Sequence, residues 1–381
     1  MNTGRSPDGA VLTALRILHT ESSLGWGGQE LRVLDESSGM VGRGHEVTIV
    51  AAPESRILNA ARMRGLAVRE LPIAAKSIRG VLAMRRAFLE FRPSVVNCHS
   101  STDSWTCALA MSLMANAPPL VRTRHISAPI PHNIASRWLY RRATARVVTT
   151  GESLRTQVIR ETGLDGERVD SVPTGIDLDR FSPGDKTMAR RDLGLPVEGF
   201  LVGIVATLRS WKGHRYLVDA IATIENSDVC LIVVGGGPGL ENLKEQVRLL
   251  SIGDRVVLAG EQSDVVPWMR AMDVFVLPSY ANEGVPQAIM QAMSCGIPVI
   301  TTAAGAIPEI VQDDVTGLVV PIRDARAIAN AINRLRQDPQ RQSRLSEAGL
   351  RSARARFSSG VMLDRMEAIF TKAASHHRMR Y

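Results

Sequence analysis

A chain of 381 residues is too long for one ordinary core and fits two domains of ordinary size. With 45% hydrophobic and 22% charged residues it is composed like a globular protein, and no apolar run approaches the roughly 20 residues that span a bilayer. The net charge of +8 comes from basic residues interspersed with acids, and with 4% aromatics to stack on bases and no recognised binding motif, nucleic acid is not expected as a partner.

Residues 1–14 lack a sustained apolar run with a cleavage site, so they read as a flexible leader rather than a secretory signal. From Leu15, short β-rich runs at 16–20, 46–51, 94–98, 120–123 and 145–150 alternate with amphipathic stretches. A second series follows at 200–205, 229–234, 255–258, 274–277 and 298–301. Such alternation means parallel strands with crossover helices. A proline- and glycine-marked stretch, 172–185, separates the series and places a crossing near residue 180. Residues 360–374 read as a last amphipathic helix with Met362, Met366, Ile369 and Phe370 near one face. The expected fold is therefore α/β, two doubly wound parallel-sheet (Rossmann-like) domains at 15–180 and 181–359 facing a central cleft. A C-terminal helix, 360–381, is expected to pack back on the N-terminal domain. Cys98, Cys107, Cys230 and Cys295 form no C-x-x-C pair and read as buried free thiols of a cytoplasmic protein.

The first candidate loop, Gly25-Trp26-Gly27-Gly28-Gln29-Glu30, follows the first strand and lets a backbone approach a ligand at a helix start. Glu30 stands where a dinucleotide fingerprint needs its third glycine, which disfavours a nicotinamide cofactor. His125 ends a strand run and is a candidate for the cleft, whereas His19 and His99 read as structural. Arg209 and Lys212 lie just past a buried strand, where two cations could neutralise a diphosphate. The loop Gly235-Gly236-Gly237-Pro238-Gly239 ends the next strand in the same manner and can turn backbone N–H groups toward phosphate or base.

The segment 282–300 says most. Ala288, Ile289, Ala292 and Met293 recur at helical spacing, which puts Glu283 near the unpaired N–H groups of a helix start. Gln291 follows eight residues later, about 12 Å along a helix. An acceptor oxygen near each end, with a helix start between them, suits an extended phosphorylated sugar. The stretch 305–311, including Glu309, is explained by packing and capping.

Together these residues resemble the retaining nucleotide-sugar glycosyltransferases of family 4, group 1, which have the two-domain GT-B fold. The resemblance implies that Glu283 contacts the donor sugar, that Gly284, Val285 and Pro286 line the donor site, and that Gln291 occupies the position of the family's ribose-binding carboxylate. It likewise implies that Arg209 and Lys212 act on the donor diphosphate, that Gly27, Gly28, Gly236 and Gly237 approach the donor, and that His125 lies near its sugar. Pro173 to Asp177 match the family's interdomain motif, with Thr174 in place of Asn. By this likeness the first domain takes the acceptor and the second the nucleotide sugar; with fixed cations in place and no clustered Asp or His set at ligand spacing, no cofactor and no metal is expected. The implied activity is retaining sugar transfer to a glycan or lipid-linked glycan in bacterial surface polysaccharide or lipopolysaccharide synthesis. A sugar-nucleotide epimerase and a non-catalytic nucleotide-sugar scaffold are the alternatives. Residues 1–180 hold 23 Lys and Arg against 17 Asp and Glu, which suits an anionic acceptor and a peripheral contact with an anionic membrane at its inner face, through clusters such as Arg85-Arg86.

Overall fold

The computed structural model of the chain describes residues 14–225, 228–281 and 283–378. The expected leader before Ala14, Asn282 and the side chains of the basic cluster at 376–380 lie outside the described residues. The chain divides into two compact units, one ending at Gly175 and resuming at Ser359, the other spanning Ile176–Ser358.

The first unit carries β1 (Arg16–Glu21), α1 (Gly28–Gly42), β2 (Glu46–Ala51), α2 (Arg56–Met63), β3 (Ala67–Glu70), α3 (Ile78–Phe91), β4 (Val95–Cys98), α4 (Ser101–Ser112), β5 (Leu120–Arg124), α5 (Ile134–Trp138), β6 (Arg146–Thr149), α6 (Glu152–Thr162) and β7 (Val169–Ser171). The second carries α7 (Lys186–Asp192), β8 (Phe200–Val205), α8 (His214–Thr223), β9 (Val229–Val234), α9 (Leu240–Leu249), β10 (Val256–Gly260), α10 (Val266–Arg270), β11 (Val274–Leu277), α11 (Gln287–Ser294), β12 (Val299–Thr302), β13 (Leu318–Val320), α12 (Ala325–Gln337) and α13 (Pro339–Arg356). The last helix, α14 (Ser359–Arg378), belongs to the first unit.

Both sheets are parallel throughout. The first is ordered β3-β2-β1-β4-β5-β6-β7 and the second β10-β9-β8-β11-β12-β13. In each, the chain works outward from a central strand and then reverses, between β1 and β4 and between β8 and β11. In each sheet, loops leaving the C-terminal ends of the two strands at the reversal border a crevice, the place where open α/β sheets bind ligands.

β4, β11 and β12 are buried along their whole length, as parallel strands covered by helices on both faces must be. The apolar runs that reveal these strands in the sequence follow from that burial. The three strands the sequence pattern misses, β3, β7 and β13, are sheet edges of three or four residues.

Met362, Met366, Ile369 and Phe370 of α14 are buried against Ile17, Val95, Val121 and Val148 of the first sheet. Arg43, just past α1, fixes the helix from outside through Asp364 and Glu367, each at 2.6 Å. Gly175 packs on the start of α14 at Ser359. In the second unit, the Ile176 N–H donates to the Phe357 carbonyl at 2.7 Å. All four cysteines are free, and burial pushes the Cys295 thiol up to about 12. Among the described residues no helix is long and apolar enough to cross a membrane.

Candidate active site

In the second unit, the loops after β8 and β11 meet at the sheet reversal. The Tyr280 N–H donates to the Trp211 carbonyl at 2.9 Å. Gly213 turns the chain into α8 at φ +79°, and a Cβ there would strike the Pro278 carbonyl, so only glycine allows the approach. This crossing brings Lys212 to Glu283. The Lys212 ammonium lies 2.7 and 3.0 Å from the two carboxylate oxygens. Ser279 donates its hydroxyl to Glu283 Oε1 at 2.6 Å, and Ser279 is itself anchored by the Thr302 hydroxyl on its carbonyl. Glu283 is 4% exposed, so its carboxylate is oriented and nearly dry.

Glu283 therefore does not sit at the helix start. Pro286 holds the extended conformation before α11, whose first helical residue is Gln287, and the carboxylate turns to Lys212 and Ser279 instead. The 12 Å separation read along one continuous helix is corrected with it, since 283–286 is loop. Gly284 is partly buried, Val285 and Pro286 are buried, and Gln291 is partly buried on α11. The Gln291 side chain forms no hydrogen bond among the described residues.

Arg209 is exposed, with its guanidinium 5.8 Å from the Trp211 ring centre and no ion pair among the described residues. The glycine loop after β9 is hydrogen-bonded directly beside it. The Leu208 N–H donates to the Gly236 carbonyl at 2.9 Å, and the Gly239 N–H donates to the Leu208 carbonyl at 3.0 Å. Gly236 and the exposed Gly237 thus share one edge with Arg209, Lys212 and Glu283. Two cations, one of them already shared with a carboxylate, beside backbone that comes close without side chains, form a site suited to a diphosphate.

In the first unit, Gly27 caps α1 in an extended conformation and Gly28 is its first residue. Glu21, the last residue of β1, accepts hydrogen bonds from the Ser23 N–H at 2.8 Å and from Gln29 Nε2 at 2.5 Å, which ties the glycine loop to the strand. Burial pushes the Glu21 carboxyl up to about 8, and the nearby Asp103 adds to the rise. Asp103 at the start of α4 accepts from Thr20 at 2.9 Å and from the Ser100 N–H at 3.0 Å. Its own carboxyl is raised to about 6 by burial.

His125 follows β5 and is partly buried, with its Nε2 3.0 Å from His99 Nδ1. His99 Nε2 lies in turn 2.9 Å from His19 Nδ1. The two histidines read as structural from the sequence are therefore joined to the candidate one. Arg122 and Arg124, which precede it in sequence, both engage Tyr140, one over the ring at 4.6 Å and the other on the hydroxyl at 2.6 Å. Glu21, Ser279 and the histidine chain escape sequence reasoning, because only the strand order shows that β1, β4, β8 and β11 end at the crevices.

Two doubly wound units of this kind, with cations and a carboxylate at a strand reversal, agree with the GT-B class that the sequence resembles. Comparison with known proteins gives the family. Residues 26–180 match the model of Glycosyltransferase Family 4 and residues 185–352 that of Glycosyl transferases group 1. A D-inositol 3-phosphate glycosyltransferase of Xylanimonas cellulosilytica is 30% identical over 388 residues, covering 89% of this chain and 91% of that protein. One from Salinispora tropica is 34% identical over 254 residues, 62% of this chain and 52% of the relative. A glycosyltransferase structure from Rickettsia africae shares the fold at a TM-score of 0.85 and 18% identity, covering 94% of this chain and 98% of that one. Anabaena HepE in complex with UDP-glucose does so at 0.82 and 23%, covering 94% and 100%. The chain belongs to the group 1, family 4 glycosyltransferases, and its activity is glycosyl transfer.

Proposed function

We propose that this glycosyltransferase moves a hexosyl group from a nucleoside diphosphate sugar, with retention of configuration, to a hydroxyl of a phosphate-bearing acceptor. The observation that carries the reading is the meeting of Arg209, Lys212 and Glu283 at one strand reversal, beside Gly236 and Gly237. As the C1–O bond breaks, negative charge gathers on the departing diphosphate. Arg209 and Lys212 then stabilise the transition state more than the ground state. In this reading they supply the neutralisation that a divalent ion supplies elsewhere, so no cofactor is required. Glu283 and Ser279 keep the Lys212 ammonium in place before the donor arrives, and attack on the donor's own face is assisted by the leaving phosphate.

The relatives named for D-inositol 3-phosphate favour a phosphorylated polyol as acceptor, and the UDP-glucose held by HepE makes a uridine donor the first to try. A lipid-linked glycan of surface polysaccharide or lipopolysaccharide synthesis shares the phosphate. It is favoured by α3, which exposes Ile78, Leu82 and Leu89 among Arg79 and Arg86, a face suited to the headgroups of an anionic membrane. Uridine, guanosine and adenosine diphosphate hexoses, offered with inositol 3-phosphate or with a lipid-linked acceptor in vesicles, separate the two. Lys212→Ala should lower turnover by about 100- to 1000-fold while the circular dichroism spectrum stays native. Transfer near the wild-type rate by the folded variant would overturn the reading. Donor conversion without acceptor would instead identify an epimerase, and binding without any turnover would identify a scaffold.

A further inference from the structure

His19, His99 and His125 form a chain of imidazoles, with nitrogen separations of 2.9 and 3.0 Å and ring centres 5.2 and 5.3 Å apart. Burial, with the charge of Arg32 adding to it, holds His19 down at about 3 and His125 well below the ordinary histidine value. His99 is held low by burial and by both neighbouring rings. All three are neutral near pH 7, and a neutral imidazole has one N–H and one bare nitrogen. His99 must therefore donate to one neighbour and accept from the other, so the three rings point the same way and only two polarities exist.

The inner end selects between them. Glu36 lies with Oε1 3.9 Å from His19 Nε2, between Arg32 Nε at 3.5 Å from its other oxygen and Asn97 Nδ2 at 3.2 Å. His19, Arg32 and Glu36 are all fully buried. A buried guanidinium keeps its proton; burial raises the Glu36 carboxyl, but the Arg32 charge and the Asn97 amide beside it pull it back down, so it serves as the compensating charge. An anionic, acceptor-only group facing His19 Nε2 attracts an N–H and repels a lone pair. His19 then accepts at Nδ1 from His99 Nε2–H, and His99 accepts at Nδ1 from His125 Nε2–H. The remaining nitrogen, His125 Nδ1, has no partner among the described residues.

We infer that Glu36, acting through His19 and His99, fixes His125 in the tautomer with its proton on Nε2, so that Nδ1 stands as an acceptor for a hydroxyl of the donor sugar or of the acceptor. The identity of that hydroxyl rests on the proposed function; the polarity of the chain does not. Glu36, His19 and His99 are positioning residues, for which an isolated histidine at the same place would be no substitute.

Nitrogen NMR of the full chain labelled in its histidine rings tests this, since a ring nitrogen with a proton and one without resonate far apart. The His125 signals are identified by their loss in His125→Ala. The expected spectrum shows Nε2 protonated and Nδ1 bare at pH 7; the reverse, or a doubly protonated ring, overturns the inference. Kinetics give the second arm. His19→Phe keeps a ring against Phe370 but removes the acceptor, and should lower kcat/KM about tenfold, the equivalent of one neutral hydrogen bond. His19→Gln, which can still accept, guards against misfolding and should stay within about threefold of wild type. In a His125→Ala background the His19→Phe loss should vanish, because both act through one group. Additive losses would show that His19 serves packing only. A rise in the KM of one substrate alone tells whose hydroxyl is bound. If the wild type transfers no sugar, the proposed function fails while the NMR result still decides the tautomer.

Discussion

Glu21 is a carboxyl in surroundings that oppose its charge. It has no exposed surface and its carboxyl is raised to about 8 by burial and by Asp103. In the unfolded chain the same group titrates near 4.5. Between these values the folded state holds a proton that the unfolded state has released, so stability falls as pH rises from about 4.5 to about 8. Glu21→Gln keeps an acceptor for the Ser23 N–H and removes the titration. It should flatten the decline and leave the variant more stable than the wild type at pH 8; urea melts at pH 5.5 and 8 measure it, and an undiminished slope would show that another group is responsible. Residue by residue, Arg209 and Lys212 are legible in the sequence because two cations directly after a strand have few structural reasons to be there. Glu21 is not, since a glutamate at a strand end looks like any other until β1 is known to border the reversal.

At the scale of elements, the site is made by loops that hold one another. The loop after β12 reaches Glu283 through Gly305, which has φ +57° and would bring a Cβ onto the Glu283 carbonyl. Gly305→Ala should destabilise by about 1–3 kcal/mol and displace Glu283 from Lys212. Thermal melts together with transfer rates check this, and an alanine variant with native melting and native turnover would contradict it. The central strands are plain in the sequence because burial on both faces makes them continuous apolar runs, whereas β3, β7 and β13 are edges of three or four residues, too short to leave a pattern. The start of α11 is misplaced from the sequence for a different reason. The apolar period of Ala288, Ile289, Ala292 and Met293 marks which face is buried but not where the first turn begins, and Pro286 with Val285 delays it.

Across the whole molecule the same order recurs: each unit builds outward from one strand and reverses, and each gathers its polar groups at the ends of the two strands flanking the reversal. The first unit holds histidines and a buried acid there, and the second holds cations and a carboxylate in its own crevice. In the proposed reaction Arg209 and Lys212 hold the diphosphate of an activated sugar. Calorimetric titration of nucleoside diphosphates into the wild type and the Arg209→Ala/Lys212→Ala double variant tests it most directly. The nucleotide that the wild type binds should be held roughly 100-fold more weakly by the folded double variant, as expected for losing charge-assisted hydrogen bonds. Equal affinity in the two proteins would contradict it.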